Sequence, residues 1–363
     1  MENSGYDPLE GKTICHINLA RGFRGGERQT ELLVRGLSGR GVQQRVVARA
    51  GQPLAARLYD LDGVAVREVG GGRVGAVLAT AGVDLLHAHQ GRAVYVAFLR
   101  HLLSGETFVI TRRIDSLPNL RFPTGTAYQS AAGIVAISTL SQKQFREHPR
   151  KLNSLVIPSV YTGLHATDAF EALSRGFKGK FVVGHIGELD HDHKGQIHLL
   201  NVARRFSKDH PEVQFVFVGS GRDRESFEQQ SADLDNVTFT GFVENVGDYM
   251  AVFDLFAFPS RREGLGSILI DAMQHGLPIV ASDVGGIPDL IRNDENGILI
   301  PVGDEDALAN AILRLKDDAQ YRDQLASAAR IDAERYAPAV MVDAYLALYR
   351  RILGESQKPA GHS

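Results

Sequence analysis

One stretch of the chain, beginning at residue 260, combines residue types suited to an anionic ligand. Glu263 stands in a loop between a predicted strand and a helix that begins near Ser267. The first amides of a helix carry the positive end of its dipole, which suits a diphosphate, and the glycines of the loop let a phosphate approach the backbone. Asp271 lies about one turn further on, where a carboxylate can accept hydrogen bonds from a vicinal diol such as ribose. The alternative is that Glu263 is an ordinary loop carboxylate.

A second segment, Gly184–Gly195 (GHIGELDHDHKG), ends in a lysine at the mouth of a predicted helix. An ammonium group at such a position is suited to bind phosphate. The residues before it, 190–193 (DHDH), raise the alternative of a metal site. Four adjacent side chains alternate in direction or wind around a turn, so they rarely converge on one ion. We therefore expect no metal ligands here.

The first half of the chain offers a glycine loop and two histidines. The loop, Gly22–Glu31, joins a first strand to a helix, but its glycines miss the dinucleotide-binding spacing and no acid follows the second strand. A tight strand–helix turn is the alternative to a ligand-binding role. His87 and His89 end a predicted strand, where open α/β sheets bind ligands, and alternation places both on one face. His89 is the better site candidate, and a buried, hydrogen-bonded histidine is the alternative.

Apolar, β-branched runs alternate with helical patterns along both halves of the chain, which indicates parallel strands covered on both faces. Examples are the strands Thr13–Leu19 and Phe181–Ile186, the helix Thr139–Glu147 and the last helix, Val340–Leu353. A stretch without strong periodicity reaches about Lys180 and is interpreted as a linker. The fold class is therefore α/β, with two doubly wound domains. The predicted ranges are 1–165, 166–336 and, for a last helix and tail, 337–363.

Several motifs of the second half, taken in order, resemble glycosyltransferase family 4, the retaining GT-B glycosyltransferases of the type that builds bacterial surface polysaccharide and lipopolysaccharide. The second acid of the family's Glu-x7-Glu signature is Asp271 here. The resemblance implies two Rossmann-like domains that face a cleft and a final helix that crosses back to the first domain. The motifs are VGSG (Val218–Gly221), NVTFTGFV (Asn236–Val243), DLFAFPSRREG (Asp254–Gly264), ASDVGGIPDLI (Ala281–Ile291) and NGILIPVGD (Asn296–Asp304).

The resemblance also implies roles for individual residues. Lys194 binds the donor diphosphate and Glu263 orients the donor sugar. Many relatives carry an Arg where this chain has Glu188, and Arg261, Arg262 or Arg24 are the candidates to replace it. Many also carry a His where this chain has Arg113, from which we infer an anionic or phosphorylated acceptor. The implied catalytic residues are Glu263, Lys194, His89 and Arg113. The implied donor-binding residues are Gly25, Gly26, Gly241, Phe242, Val243, Gly264, Leu265, Gly266, Ser267 and Asp271.

The function that follows from the resemblance is transfer of a sugar from a nucleotide-diphosphate donor, with a UDP-sugar favoured, to an anionic glycan or glycolipid of the cell surface. The nucleotide sugar is a co-substrate, and we expect neither a cofactor nor a metal. A nucleotide-sugar 2-epimerase of the same fold and a sugar-nucleotide-binding relative without catalysis are the alternatives. We expect the last helix to pack on the first domain through an apolar stripe of Val342, Tyr345, Leu346 and Tyr349.

Composition limits the cellular compartment and the classes of partner that we expect. The chain has 363 residues and a single cysteine, Cys15, which argues against a disulfide framework and a thiolate zinc site. Residues 1–12 carry three acids and no apolar core, so we expect a cytoplasmic protein rather than a secreted one. Residues 1–165 hold 20 basic against 12 acidic residues, and the remainder hold 20 against 31. We expect the basic half to face an anionic membrane at the inner surface of the cytoplasmic membrane. The arginines are scattered without interleaved aromatics, which argues against nucleic acid.

Overall fold

The computed structural model divides the chain into two compact units, Met1–Thr162 with Pro338–Ser363, and Gly163–Ala337. We call them unit 1 and unit 2 and describe each by itself. The structure describes residues 7–70, 72–114 and 116–355. The tail predicted after the last helix lies beyond residue 355, outside the described residues.

Unit 1 is built on a seven-stranded parallel sheet with the order β3-β2-β1-β4-β5-β6-β7. Strands β4 and β6 are buried along their whole length, as expected for a parallel sheet covered on both faces. Its elements are β1 (Thr13–Asn18), α1 (Gly25–Leu37), β2 (Gln43–Arg49), α2 (Pro53–Ala56), β3 (Val64–Val69), α3 (Arg73–Ala79), β4 (Leu85–Ala88), α4 (Gly91–Ser104), β5 (Thr107–Arg112), α5 (Thr124–Ser130), β6 (Gly133–Ala136), α6 (Thr139–Glu147) and β7 (Ser154–Val156).

Unit 2 repeats the design with a six-stranded parallel sheet of order β10-β9-β8-β11-β12-β13. Two short 3-10 turns, Ile287–Asp289 and Glu334–Tyr336, complete it. Its elements are α7 (Ala169–Gly176), β8 (Phe181–Ile186), α8 (His191–Lys194), α9 (Gln196–Asp209), β9 (Val213–Val218), α10 (Arg224–Gln230), β10 (Val237–Gly241), α11 (Val246–Met250), β11 (Leu255–Phe258), α12 (Ser267–Gln274), β12 (Ile279–Ser282), β13 (Ile298–Ile300), α13 (Glu305–Asp317) and α14 (Ala319–Ala333).

In each sheet the strand order reverses direction once. The reversal lies between β1 and β4 in unit 1 and between β8 and β11 in unit 2. Connections that leave two such strands run to opposite faces of the sheet, which opens a crevice at their carboxyl ends. These two places are therefore where the fold favours ligand binding.

The last helix, α15 (Pro338–Glu355), belongs to unit 1. Its predicted apolar stripe is buried in one cluster with side chains of α1 and of the sheet, such as Leu33 and Val109, so the predicted packing on the first domain is confirmed. Gly36 of α1 lets the two helices approach, because a methyl group there would lie 2.3 Å from Val342 Cγ2. Among the described residues, no helix has the length and apolar character needed to cross a bilayer.

The predicted α/β class with two doubly wound sheets and a returning last helix is confirmed. The boundary between the units, at Thr162 and Gly163, lies in the segment interpreted as a linker, but helix α7 occupies a later part of that segment. Helix α7 has only eight residues and none of them is buried, so the sequence shows about two turns of pattern there. Helix α4 was also not predicted from the sequence.

Candidate functional site

The predicted donor-site residues of unit 2 meet beside the reversal of its sheet. Lys194 ends α8, just after β8, and Glu263 lies in the loop after β11. The Nζ atom of Lys194 donates to Glu263 Oε2 at 2.5 Å and lies 5.1 Å from the centre of the Phe258 ring. Both charged side chains are partly open to solvent. The fold thus brings together a cation and a carboxylate that are 69 residues apart in the sequence.

Glycines of the neighbouring motifs make room for this loop. Gly285, in the VGG turn, has φ +63°, and a side chain there would strike the carbonyl oxygen of Glu263 at 1.8 Å. The amide of Gly286 donates to that same oxygen at 3.3 Å. Gly195, with φ +63°, packs on the carbonyl of Pro259, so the residue after Lys194 contacts the chain just before the Glu263 loop. The backbone around Glu263 is therefore held from two directions.

Helix α12 opens directly after this loop. Gly266 is its N-cap residue, with φ +80°, and no side chain caps the first turn. Its first amides, from Ser267 onward, are therefore the open positive end of a helix dipole, as the sequence predicts for diphosphate. Gly264 is buried, and Leu265 anchors the loop in the core. Asp271 is only 3% exposed, so its predicted contact with a ribose needs its carboxylate to become accessible.

A cavity of about 390 Å³ adjoins this region and is lined by Asp192, Arg261, Arg262 and Val302. The backbone amides of Arg261 and Arg262 both donate to the carbonyl of His193, one residue before Lys194. Two further cationic side chains thus stand near the lysine. Arg261 and Arg262 are the structural candidates for the second phosphate-binding cation.

The DHDH run beside this cavity does not converge on one point. Asp190 and Asp192 both pair with Arg222, whereas His191 Nε2 contacts Arg261 Nη1 at 3.2 Å. His193 Nδ1 lies 3.1 Å from Asp190 Oδ2. The arrangement is a set of separate polar contacts on one surface, in agreement with the geometric argument from adjacent residues.

The predicted donor-binding residues Gly241, Phe242 and Val243 lie at the end of β10 and directly after it. Its Phe242 is 79% exposed, an unusual position for so large an apolar ring. Gly219 of the VGSG motif donates through its amide to the carbonyl of Gly241 at 2.9 Å, which fixes this segment next to β9. An exposed aromatic face held on a rigid turn is suited to stack on a nucleobase.

Behind Lys194, a buried polar pair supports the loop. His185 is fully buried and its Nδ1 lies 2.9 Å from the carbonyl of Ala257. Burial lowers the pKa of His185 to about 4, so the ring is neutral and Nδ1 donates. Gln196 contacts His185 Nε2 at 3.3 Å and donates to the carbonyl of Glu188 at 2.8 Å. These bonds position the residues on either side of Lys194.

In unit 1, the predicted residues gather at the reversal between β1 and β4. Gly25 and Gly26 are the first residues of helix α1. The amide of Arg24, the N-cap residue, donates to Glu27 Oε2 at 3.0 Å. The Arg113 side chain lies against this helix end, since a methyl group on Gly26 would be 3.7 Å from its Cδ. The structure thus brings Gly26 and Arg113 together, although the sequence analysis treated them separately.

The predicted His89 is buried rather than open, being 3% exposed. Its Nε2 lies 3.0 Å from Nδ1 of His16, a residue that the sequence analysis missed. His87 lies on the same side, as alternation predicts, with ring centres 3.8 Å apart, and it contacts Tyr349 of α15 and Thr111 of β5. Burial lowers the pKa of His87 and of His89 well below the ordinary value, so both rings are neutral.

These three imidazoles are the one group among the described residues that is spaced closely enough to bind a metal ion, with ligand atoms within 4.8 Å of one another. Both ring nitrogens of His87 are hydrogen-bonded, at 2.6 Å to Tyr349 and 2.7 Å to Thr111. Metal binding would require His87 to give up one of these buried bonds. The residues therefore fit a hydrogen-bonded cluster better than a metal site.

A second cavity, of about 320 Å³, lies in unit 1 and was not predicted from the sequence. It lies where β4 ends and α4 begins, and three separate segments contribute to it. Arg112 at its edge donates to the carbonyl of Ser116. Its lining residues are Gln90, Gly91, Arg92, Val94, Tyr95, Arg112, Pro118, Thr124 and Tyr128.

Comparisons with known proteins agree with this geometry. Residues 180–318 match the family model described as glycosyl transferases group 1. The lipopolysaccharide core biosynthesis glycosyltransferase LpsD of Rhizobium meliloti is 28% identical over 93% of this chain and 98% of its own length. The phosphatidyl-myo-inositol mannosyltransferase of Mycobacterium leprae is 24% identical over 79% of this chain and 78% of its own.

Among solved structures, Anabaena HepE in complex with UDP and glucose superposes with a TM-score of 0.82 at 23% identity. The match covers 93% of this chain and 99% of HepE. A sucrose-phosphate synthase from Thermosynechococcus elongatus gives a TM-score of 0.78 at 18% identity, over 95% of this chain and all of the other. These likenesses concern the fold.

Proposed function

We propose that this chain, a glycosyltransferase with the GT-B fold, transfers a sugar with retention of anomeric configuration from a nucleotide-diphosphate donor to a glycan or glycolipid of the cell surface. The observation that carries the proposal is the Lys194–Glu263 pair beside the uncapped start of α12. Cation, carboxylate and helix amides are the groups that a sugar diphosphate requires at one place.

The donor's diphosphate gains negative charge as the bond to the sugar breaks. Lys194 and the first amides of α12 stabilise that charge because they are fixed before the reaction begins. Arg261 or Arg262 supplies the further positive charge that Glu188 does not. The chain's own groups thus carry the electrostatic work, and no metal is invoked.

Glu263 orients the hydroxyl groups of the donor sugar, with its own position set by Lys194 and by the glycine turn at residue 285. The acceptor hydroxyl attacks the anomeric carbon on the same face from which the leaving group departs. The bond from that carbon to the phosphate oxygen breaks, the bond to the acceptor oxygen forms, and the acceptor proton passes to the departing phosphate oxygen. This sequence retains configuration without a protein nucleophile.

The donor nucleotide is proposed to be UDP. The support is that HepE, which shares the fold, binds UDP, and that Phe242 offers an exposed ring for a nucleobase. Gly241 is the last residue of β10, so Phe242 follows the strand directly. Asp271 is proposed to bind the ribose after a shift that exposes its carboxylate.

The acceptor is proposed to be a lipopolysaccharide core or a similar anionic surface glycan. One relative that spans almost the whole chain carries the name of a lipopolysaccharide core glycosyltransferase. Unit 1 supports an anionic partner, since it holds 23 basic against 14 acidic residues. We place the reaction in the cytoplasm, with peripheral contact at the inner face of the membrane.

A panel of UDP-, GDP-, ADP- and dTDP-sugars tests the donor, first by thermal shift and then by release of free nucleotide with a lipopolysaccharide core acceptor. The expected result is stabilisation by a UDP-sugar and a product with the donor's anomeric configuration by NMR. Absence of binding to every nucleotide sugar, or an inverted product, overturns the proposal.

The variant Glu263→Gln distinguishes a glycosyltransferase from a sugar-nucleotide-binding protein without catalysis. We expect this variant to bind UDP and to lose transfer, because the amide keeps the shape of the side chain but not its charge. Unchanged transfer by Glu263→Gln contradicts the assigned role. A sugar nucleotide inverted at C2 in the absence of acceptor identifies an epimerase instead.

A further inference from the structure

The half-buried side chain of Arg113 has two inner nitrogen atoms without a hydrogen-bond partner. These atoms, Nε and Nη2, are shielded from solvent and donate to no acceptor among the described residues. No hydrogen bond or ion pair of this side chain occurs with any residue from 7 to 70, 72 to 114 or 116 to 355. A guanidinium remains protonated in proteins, so Arg113 cannot avoid the desolvation cost of these unpaired N–H groups by losing a proton.

The surroundings of Arg113 provide one negative charge but no hydrogen-bond acceptor for its inner nitrogens. The carboxylate of Glu27 acts on Arg113 through its charge, while its Oε2 accepts a hydrogen bond from the Arg24 amide at the start of α1. The hydroxyls of Tyr345 and Tyr349, which also act on it, are bonded to Thr111 and to a histidine. The Nε and Nη2 atoms of Arg113 are therefore left without an acceptor among the described residues.

Two other features of the same place favour a negative ligand. The side chain of Arg113 packs on Gly26 in the first turn of α1, a helix of 13 residues whose dipole is positive there. His89, 3% exposed and electrostatically coupled to Arg113, has a buried Nδ1 without a partner. A half-buried cation, a helix start and a buried imidazole nitrogen without a partner thus lie together.

We propose that Arg113 binds an anionic oxygen group of a substrate, a carboxylate or a phosphate, and that it determines specificity for the charged substrate over its neutral counterpart. This inference rests on the proposed function. The planar guanidinium matches both groups through two parallel hydrogen bonds, which a neutral hydroxymethyl group cannot form. The group belongs either to the transferred sugar, as a uronate, or to the acceptor, as a phosphate or sugar acid.

The test pairs charged and neutral substrates with the full chain. In the donor arm, UDP-glucuronate is compared with UDP-glucose, and UDP-galacturonate with UDP-galactose. In the acceptor arm, core oligosaccharide is compared before and after phosphatase treatment, and with its carboxylates reduced. We expect one arm to show preference for the charged member, and Arg113→Gln to lower kcat/KM for that member on the order of 100-fold. The neutral member should lose less, so the ratio of the two kcat/KM values is the readout of the test.

The controls separate specificity from folding. Arg121→Gln removes the same charge from an exposed side chain of the same unit and should leave the preference intact. Arg113→Lys should restore part of the preference. Because Arg113→Gln removes shielded N–H groups that have no acceptor, its Tm should equal or exceed that of the wild type. A merely structural arginine would instead lower Tm and leave the ratio of charged to neutral turnover unchanged, which would overturn the inference.

The failure of the proposed function gives a different result. If no donor supports transfer by the wild type, that proposal fails, and titration calorimetry with inorganic phosphate and with glucuronate decides the inference. Anion binding that Arg113→Gln abolishes and Arg121→Gln preserves supports it. If transfer occurs but neither arm prefers the charged member, or if Arg113→Gln keeps the preference, the inference is wrong.

Discussion

At the scale of single residues, the proposed chemistry depends on Lys194, which has the carboxylate of Glu263 as its partner. Lys194 lies between Glu263 and the face of Phe258, so its ammonium is held in one place without being neutralised by full burial. A bound diphosphate can then share the same cation. This arrangement explains why the two residues belong to one site although different strands deliver them.

Replacing this lysine should separate transition-state stabilisation from binding. Lys194→Met keeps much of the side chain's volume but removes the charge, so we expect kcat/KM to fall by about 10²- to 10³-fold, as for loss of one preorganised donor. UDP affinity should fall less, since the α12 amides remain. Nucleotide release and calorimetry measure the two effects. Lys178→Met, at an exposed lysine of the same unit, should change neither, and equal losses in both variants would contradict the role of Lys194.

Buried histidines make stability depend on pH. Burial lowers the pKa of His16 and of His185 to about 4, whereas the same side chains in the unfolded chain take up protons near 6.5. The unfolded chain then binds more protons below about pH 6.5, so the free energy of unfolding is greatest above that pH and decreases as pH falls toward 4. Each imidazole contributes up to roughly 1.4 kcal/mol per pH unit in this window.

Urea unfolding between about pH 7.5 and 4.5 measures this dependence, and hydrogen exchange of the β1 and β8 amides assigns it to each unit. His16→Gln should flatten the dependence for unit 1 only. His165→Gln, at an exposed histidine, should leave it unchanged. A free energy of unfolding that is constant across this range would show that the imidazoles are not buried as neutral rings.

At the scale of elements, the contact between α1 and α15 depends on one glycine. A methyl group at Gly36 would lie 2.3 Å from Val342 Cγ2, so Gly36→Ala forces the helices apart and should lower the free energy of unfolding by about 1–3 kcal/mol. Val342→Ala in the same chain should recover part of the loss, which a double-mutant cycle measures. Gly75→Ala in α3, where nothing lies within 4 Å, should be neutral or stabilising. Additive effects of the Gly36 and Val342 changes would contradict the proposed clash.

The sequence predicts an element well when its burial and its caps agree. The bounds predicted for α6 match the structure because Ser138 accepts from the Ser141 amide and marks the start. Helix α4 was missed because its apolar residues lie on both sides: Ala93 and Phe98 are buried, whereas Leu102 and Leu103 are exposed. Such a helix has no clear polar face, so its period is hidden.

The candidate site was predictable to the extent that each contribution is local. Lys194, Glu263 and the start of α12 belong to short motifs, and the family model over residues 180–318 confirms the resemblance that these motifs indicated. The pairing of His16 with His89 was not predictable, since it follows from the register of β1 against β4, in which His16 stands opposite His87. Long-range register is set by the whole sheet rather than by nearby residues.

At the scale of the whole molecule, charge and exposed apolar side chains distinguish the units. Unit 1 has 23 basic and 14 acidic residues, whereas unit 2 has 17 and 29. On unit 1, α3 exposes Val74 and Leu78, and the neighbouring α4 exposes Leu102 and Leu103; all four side chains are 63–74% exposed. Two apolar stripes on a basic unit are suited to the surface of an anionic bilayer.

We therefore expect the chain to bind vesicles of phosphatidylglycerol more tightly than vesicles of phosphatidylcholine, and high salt to weaken binding because it screens the charges. Replacing Leu78, Leu102 and Leu103 together by Ser should lower the partition coefficient on the order of 100-fold, since each leucine that enters the interface contributes up to about 1.5–3 kcal/mol. Ile331→Ser removes an equally exposed side chain from unit 2 and should have no effect. Vesicle binding that depends on neither anionic lipid nor salt would contradict a role of the basic charge of unit 1 in membrane contact. Binding that Ile331→Ser weakens as much as the triple substitution would place the membrane contact on unit 2 instead.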